Sequence, residues 1–157
     1  MKSDDPELEK AQKEMFERAE KIDKLTLTIL RSHVVAEQCM IDYILANGVK
    51  RKWFSKKTFW HKMQKCKRLA KKEGKDPLWG VLETANELRN KIAHTLAADK
   101  IAEKMARLKE KYLASLTAKQ AADLKDQPDD YIALSACSTC AGFIATLRSR
   151  VAAGTGK

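Results

Sequence analysis

Few residues in this sequence of 157 amino acids break regular secondary structure. Glycine occurs 6 times and proline 3 times, a composition closer to a helical globular protein than to a disordered or all-β chain. No run of about 18 apolar residues is present, so we expect no membrane-spanning helix. The first ten residues also lack the apolar centre of a signal peptide. These absences predict an all-α protein that resides in the cytoplasm.

Cysteine is scarce as well, and its positions do not suggest a disulfide framework. Cys39, Cys66, Cys137 and Cys140 fall at apolar helical positions, as expected for buried free thiols in a reducing compartment. The last two have the CxxC spacing of redox and metal sites, but no second pair is present and the 3 histidines show no matching spacing. We therefore interpret the cysteines as core residues and expect neither a metal ion nor another cofactor.

Acidic residues are nearly absent from one segment, residues 50–75. This segment contains 12 Lys and Arg against a single glutamate. The segments before and after it carry net charges of −3 (7 basic, 10 acidic) and +2 (12 basic, 10 acidic). A focused positive field raises the local concentration of polyanions, so nucleic acid is the first partner to consider and an acidic protein the second.

The length suits one domain with a real core, because a chain of about 150 residues buries roughly two thirds of its unfolded surface. Helical periodicity predicts a four- to six-helix up-and-down bundle with its core at about 6–95 and 129–152. Residues 50–75 are expected to form a basic helix and loop, and 152–157 a disordered tail. The helix at 99–116 is rich in Lys and Glu, which suggests a peripheral position, and the sequence does not reveal its role.

Two of the predicted helices precede the candidate site. The first, at 27–46, has an apolar face formed by Leu27, Leu30, Val34, Val35, Cys39, Ile41, Ile44 and Leu45. The second lies in the basic segment, where Ser55 is the predicted N-cap and Gly74 the predicted stop. Its inner face would consist of Phe59, Met63, Cys66 and either Leu69 or Ala70.

The most informative stretch lies at the end of a helix that Asp76 and Pro77 are expected to open. The apolar stripe of this helix ends near His94, which places Arg89, Asn90 and His94 in its last turn and a half. Asn90 and His94 are one turn apart and Arg89 is on the adjoining edge. The three side chains can therefore form one polar patch.

The residue types of this patch suit phosphate chemistry. Histidine exchanges a proton near neutral pH, and arginine presents a permanent charge that matches a phosphate. Metal-independent RNA cleavage needs these groups, as proton acceptor for the 2′-hydroxyl and as cation for the charge that develops on the phosphate. Alternatively, Arg89 pairs with a nearby acid such as Glu83, and His94 stabilises its helix terminus by about 0.3–1 kcal/mol.

Two strings give the sequence a resemblance to a known family. RSHVVAEQCMIDYIL at Arg31–Leu45 and LWGVLETANELRNKIAH at Leu78–His94 resemble the HEPN superfamily of small helical proteins. The motif of that family is an Arg, four to six residues and a His, often with a polar residue after the Arg, and it maps onto Arg89, Asn90 and His94. The likeness covers about residues 25–95.

The resemblance implies a fold and an activity. HEPN-like proteins are helical bundles that dimerise so that two motifs meet, and many are metal-independent RNA endonucleases that yield a 2′,3′-cyclic phosphate. Others bind RNA or protein without catalysis. Members of the family commonly serve as toxins or defence effectors, so an antitoxin or regulatory protein is an implied partner.

Two residues on the preceding helix are candidate supporting groups. His33 and Glu37 are four positions apart, and Glu37 could orient His94 or Arg89 if this helix packs beside the motif helix. The alternative is a surface pair that stabilises its helix by roughly a few tenths of a kcal/mol.

The basic segment supplies the predicted RNA contacts, which are Lys50, Arg51, Lys52, Lys56, Lys57, Lys62 and Lys65. Lysines neutralise phosphates, and aromatic rings stack on unpaired bases, for which Trp53 and Phe54 are candidates. Phe59, and with it Trp60, fits the inner face of the helix better. The alternative is a solvated charged face without a nucleic acid.

The sequence thus yields a first hypothesis, a HEPN-type endoribonuclease acting as a homodimer, with His94 as general acid or base and Arg89 on the scissile phosphate. Asn90 would position the substrate or Arg89. A second hypothesis is a non-catalytic module that binds RNA or an acidic partner through residues 50–75, and a third is a helical protein-interaction domain.

Overall fold

The computed structural model describes residues 6–20, 24–95 and 97–154, except for the side chains of 18–20. Within these ranges the chain is helical and contains no strand, which confirms the prediction of an all-α protein. The described residues form seven α-helices: α1 (Pro6–Glu20), α2 (Lys24–Ala46), α3 (Phe59–Leu69), α4 (Leu78–His94), α5 (Ala98–Ala114), α6 (Ala118–Leu124) and α7 (Asp129–Ala152). Short 3-10 helices at Arg51–Phe54 and Lys71–Lys75 flank α3.

The centre of the bundle is the long contact between α2 and α7, which run parallel. Lys24 pairs with Asp130 at 2.9 Å near their amino ends, and Asp42 lies 3.9 Å from Arg148 near their carboxyl ends. Between these pairs, both helices contribute fully buried side chains, including Ile29, Met40, Ile44, Ile132 and Ile144. This pairing forms the wall against which α3, α4 and α5 pack.

Helix α7 is long and apolar enough, by length and composition alone, to cross a membrane. Core helices of water-soluble proteins meet the same criterion, and 44% of its most apolar window is buried inside this bundle. The criterion therefore does not by itself assign α7 to a membrane.

Helix α5 belongs to the core, contrary to the predicted peripheral position. Met105, Leu108 and Tyr112 are buried, and the Tyr112 hydroxyl forms a 3.0 Å hydrogen bond with the Thr139 hydroxyl of α7. The many lysines and glutamates lie on the remaining faces of the helix. The sequence shows the apolar stripe of Ile101, Met105, Leu108 and Tyr112, and the charged composition of the other faces does not prevent this stripe from packing into the core.

The predicted apolar face of α2 is wrong in its first half and is confirmed at Ile44. Leu27, Leu30, Val34 and Val35 are exposed, and the buried residues are Thr26, Ile29, Ala36, Met40, Tyr43 and Ile44. The inner face includes the small or hydroxylated residues Thr26, Ala36 and Tyr43. A periodicity based on hydrophobicity alone therefore favours the other side of the helix. Helix α2 consequently presents a second, solvent-exposed apolar stripe.

Helix α1 adds little to the core. Residues 6–17 are exposed except for half-buried Leu8, and Met15 and Phe16 are 62% and 73% exposed. The buried core therefore begins in α2 and not at residue 6. At the other end, α7 continues to Ala152, the first residue of the tail at 152–157 that was predicted to be disordered. Residues 155–157 of this tail lie outside the described residues.

The caps of α3 also differ from the prediction. Thr58, not Ser55, is the N-cap, because its hydroxyl and His61 form a capping box. The helix ends at Leu69, before Gly74, and the chain continues as a 3-10 turn. Gly74 is still required there, since a Cβ at this position would collide with the carbonyl oxygen of Lys67.

Candidate functional site

Helix α4 positions the predicted motif. The Asp76 carboxylate accepts a 2.9 Å hydrogen bond from the Leu78 amide, and the Trp79 indole donates at 2.9 Å to the Glu73 carbonyl. A buried stripe along α4 fixes its rotation and consists of Trp79, Val81, Leu82, Ala85, Leu88 and Ile92. Residues 89–94 form the end of this helix, as predicted.

A cavity of about 450 Å³ opens where α4 meets α2 and the start of α3. We call it the α2–α4 cavity. Its lining residues are His33, Glu37, Thr58, Phe59, Trp60, Asn86, Arg89 and Asn90. It therefore brings together two predicted motif residues, both predicted supporting residues and two polar groups that the sequence analysis did not select.

Arg89 has no carboxylate partner among the residues that the structure describes. Its guanidinium donates a 3.2 Å hydrogen bond to Asn90 Oδ1, and the ion pair with Glu83 considered above is not formed. The half-buried arginine thus directs its positive charge into an open cavity. Such a group is available to bind a phosphate.

His94 lies outside the α2–α4 cavity. It is exposed and borders a shallower, neighbouring cavity of about 330 Å³, whose other lining residues are Glu87, Asn90, Lys91 and Lys104. Asn90 lines both cavities, whereas Glu87 is occupied by 3.0 Å ion pairs with Lys104 and Arg107. Within one protomer, Arg89 and His94 therefore flank Asn90 from two different cavities.

His33 contacts α4 and does not form a simple surface pair with Glu37. Its Nε2 lies 3.0 Å from Asn86 Oδ1, and its ring stacks on Phe59 with 4.0 Å between ring centroids. Burial lowers the pKa of His33, and the nearby positive charge of Arg89 lowers it further, against the opposing effect of the Asn86 hydrogen bond. His33 is therefore held as a neutral imidazole near pH 7, with its Nε2–H donating to Asn86.

Glu37 lines the α2–α4 cavity with Arg89 and Asn90, and its ion pair is with Lys62. It accepts a 2.6 Å charged hydrogen bond from Lys62, whose side chain is only 11% exposed. Lys62, one of the predicted RNA contacts, is thus nearly buried between α2 and α3 and already paired, and its role in RNA binding stays a prediction. Among the described residues no ion pair joins Glu37 to Arg89 or His94, so the orientation of these residues by Glu37 stays a prediction.

The exposed aromatic residue of the basic segment is Trp60, which sequence periodicity placed on the inner face of α3. Trp60 is 49% exposed at the rim of the α2–α4 cavity. Trp53 and Phe54, the predicted base contacts, are half-buried against the core and pack edge to face at 5.3 Å. The ammonium groups of Lys57 and Lys65 lie 5.8 and 5.9 Å from the Trp53 ring, so cations rather than bases face it.

The other predicted RNA-binding residues differ in exposure. Lys50, Arg51, Lys52 and Lys56 are exposed, and Lys57 and Lys65 are half-buried. Lys56 adopts a positive φ of 58°, a conformation that non-glycine residues seldom take and that makes the sharp turn before Thr58. The basic surface next to the cavity thus consists mainly of the turn and 3-10 helix that precede α3.

The cysteines lie in the core and not in a site. Cys66, Cys137 and Cys140 are buried and Cys39 is half-buried, all as free thiols. Burial raises the pKa of Cys137 to about 12 and raises the pKa of Cys66 and Cys140 as well. In the described part of the chain, no group of three or more His, Cys, Asp or Glu side chains is arranged to hold a metal ion.

Comparisons with known proteins add no assignment. The chain matches no protein-family model, no curated protein and no solved structure. The similarity to the HEPN superfamily therefore stays a prediction that rests on the two sequence strings around α2 and α4.

Proposed function

We propose that this protein is a metal-independent endoribonuclease of the HEPN type, with Arg89, Asn90 and His94 as its catalytic residues. The observation that carries the proposal is the guanidinium of Arg89, which faces an open cavity and, among the described residues, has no carboxylate partner. A buried or paired arginine would serve the structure, whereas an unpaired cation at a cavity is suited to bind a phosphate.

The proposed reaction is an internal transesterification of RNA. His94 accepts the proton of the 2′-hydroxyl, the 2′ oxygen attacks the adjacent phosphorus, and the 5′ oxygen leaves with a proton from a second acid. Arg89 stabilises the charge on the phosphate oxygens during the attack. Asn90 lies between Arg89 and His94 and holds the guanidinium through its Oδ1.

The proposal includes a homodimer, because one protomer offers a single His94 and separates it from Arg89. A second copy of the motif supplies the further imidazole that serves as the acid. The exposed stripe of Leu27, Leu30 and Val34 on α2 supports this assembly, since it is an apolar surface on the helix that also carries His33. In such a dimer the phosphate would be enclosed by both copies.

An antitoxin-type or other regulatory protein belongs to the same proposal through the family resemblance. A ribonuclease free in the cytoplasm would degrade cellular RNA unless its site were covered. The strongly basic segment at 50–75 gives an acidic inhibitor a surface to bind.

The decisive test is RNA cleavage by the purified protein in EDTA. We expect 2′,3′-cyclic phosphate products, and we expect His94→Ala to lower the rate by about 100-fold or more. Arg89→Ala should have a comparable effect and Arg89→Lys a smaller one, because lysine keeps the charge but not the fork. Arg148→Ala removes an equally charged exposed residue of α7 and should cleave like wild type.

A requirement for Mg²⁺, or full activity of His94→Ala, would refute this mechanism. The alternative, a non-catalytic RNA-binding module, is favoured by the exposed cluster of Lys50, Arg51 and Lys52. It predicts no cleavage, affinity that falls steeply with salt and RNA binding that is indifferent to Arg89→Ala. A protein-interaction domain without a nucleic-acid role predicts no RNA binding even at low salt.

A further inference from the structure

Trp60 presents a half-exposed aromatic ring in the cavity that Arg89 also lines, and its ring contact is with His61, edge to face at 5.4 Å. It lies in the first turn of α3 and is 49% exposed, while the adjacent Phe59 is buried under the His33 ring. An exposed indole at the rim of a polar cavity is costly to hydrate and offers a stacking surface for a planar ring. The cavity volume of about 450 Å³ leaves room for one nucleobase beside the arginine.

The α4 wall of this cavity offers hydrogen-bond donors. Asn86 Oδ1 is engaged by His33 Nε2, and Asn90 Oδ1 accepts from the Arg89 guanidinium. Each amide therefore keeps its NH₂ group for a ligand. Asn86 and Asn90 are one helical turn apart on the same face, so their free donors lie side by side.

The α2 wall offers an acceptor. Glu37 lines the cavity, and its Oε1 is held by Lys62 at 2.6 Å. Its second carboxylate oxygen takes part in no hydrogen bond among the described residues. The ion pair with Lys62 occupies only one of the two carboxylate oxygens, so the other can accept a hydrogen bond from a ligand.

Guanine is the base that fits such an arrangement. Its O6 and N7 are adjacent acceptors, whereas adenine presents a donor at N6 beside N7. The ring edge of guanine next to O6 carries N–H donors, which a carboxylate can accept. Uracil and cytosine lack this combination of two acceptors on one edge and donors on the next, and their smaller rings cover less of the indole.

We propose that the α2–α4 cavity binds an unpaired guanine base, stacked on Trp60 and held between the amides of Asn86 and Asn90 and the Glu37 carboxylate. The inference rests on the proposed function in that the phosphate bound by Arg89 would belong to the same or the adjacent nucleotide. The enzyme would then cleave single-stranded RNA next to guanine.

Binding of free nucleotides tests the pocket separately from catalysis. We would titrate 3′-GMP, 3′-AMP, 3′-CMP and 3′-UMP into the full-length protein and follow tryptophan fluorescence. We expect 3′-GMP to quench the signal and to bind roughly tenfold or more tightly than the other three. Quenching should persist in Trp53→Phe, whose indole is covered by lysines, and disappear in Trp60→Phe.

Trp60→Phe should fold normally because the side chain is half exposed, and circular dichroism checks this. Equal binding of all four nucleotides, or quenching that survives in Trp60→Phe, would overturn the guanine pocket. Absence of nucleotide binding in a protein that still cleaves RNA would overturn the pocket but not the ribonuclease. Selective binding of 3′-GMP by a protein that cleaves no RNA would support the pocket and refute the proposed function.

Discussion

At the scale of single residues, His33 affects both the packing and the net charge of the α2–α4 cavity. Its imidazole stacks on Phe59 and donates to Asn86, and both contacts fix the orientation of the ring. Burial and the Arg89 charge lower its pKa from the ordinary value of 6.5. A second positive charge beside Arg89 is thereby avoided at neutral pH.

This lowered pKa predicts a loss of stability in mild acid. Below pH 6.5 the unfolded chain binds a proton at His33 more readily than the folded chain does, so the free energy of unfolding falls as the pH drops from 6.5 towards the folded-state pKa. Urea unfolding between pH 8 and pH 5 measures this slope. His33→Gln keeps a hydrogen-bonding amide without a titrating group and should flatten the curve in that window. An unchanged slope in the variant would show that other groups cause the acid sensitivity.

The sequence analysis did not select Asn86 and Trp60 as site residues, and the two cases differ. Asn86 lies four positions before Asn90, so helical spacing alone could have placed it on the motif face. Trp60 directly follows Phe59, and the sequence analysis assigned both residues to the inner face of α3. The predicted stripe of Phe59, Met63 and Cys66 is buried, but a step of one residue turns the Trp60 side chain away from this stripe and towards solvent.

At the scale of elements, α2 is the helix that joins the site to the core. One face packs on α7, another carries His33 to α4 and Glu37 to α3, and the remaining stripe is apolar and exposed. Side chains only a few positions apart on α2 thus face three different surroundings: α7, the pair of α3 and α4, and solvent.

The Glu37–Lys62 pair between α2 and α3 predicts a measurable coupling. Glu37→Gln should lower the free energy of unfolding by about 1–2 kcal/mol, because the Lys62 charge remains nearly buried with only a neutral partner. The cost stays below that of a fully buried pair since Glu37 is 30% exposed. The double variant Glu37→Leu, Lys62→Met should recover to within about 1 kcal/mol of wild type.

Urea denaturation of the single and double variants checks this coupling. Asp42→Asn, which weakens the exposed 3.9 Å pair with Arg148, serves as the control and should change stability by less than about 0.5 kcal/mol. A Glu37→Gln variant as stable as this control would mean that the buried ammonium is not held by the pair.

At the scale of the whole molecule, charge and apolar surface are unevenly distributed. The basic segment at 50–75 contributes Thr58, Phe59 and Trp60 to the lining of the α2–α4 cavity, and the exposed residues Leu27, Leu30, Val34 and Val35 lie on the outer face of α2. A polyanion and a second apolar surface are the partners that would cover these two regions. The proposed dimer uses the apolar region and leaves the basic one for RNA.

The dimer predicts that a charge on the outer face of α2 separates the subunits. Val34 is 66% exposed, so Val34→Glu should leave the protomer folded while placing a charge in the proposed interface. Analytical ultracentrifugation should show a dimer for wild type and a monomer for the variant, with RNA cleavage lost in parallel. Ala106→Glu on the exposed side of α5 adds the same charge elsewhere and should remain dimeric. A wild-type monomer that cleaves RNA would contradict the assembly.

The sequence by itself determined the helical class, the helix that ends at His94 and the basic segment, because these follow from composition, spacing along one helix and local charge. Only the tertiary structure decided which face of α2 is buried, that α5 joins the core, and that Lys62 pairs with Glu37, whereas the predicted inner face of α3 (Phe59, Met63, Cys66 and Ala70) is confirmed. These outcomes depend on contacts between residues far apart in the chain. The tertiary structure also decided the cavity around Arg89, since this cavity exists only where α2, α3 and α4 meet.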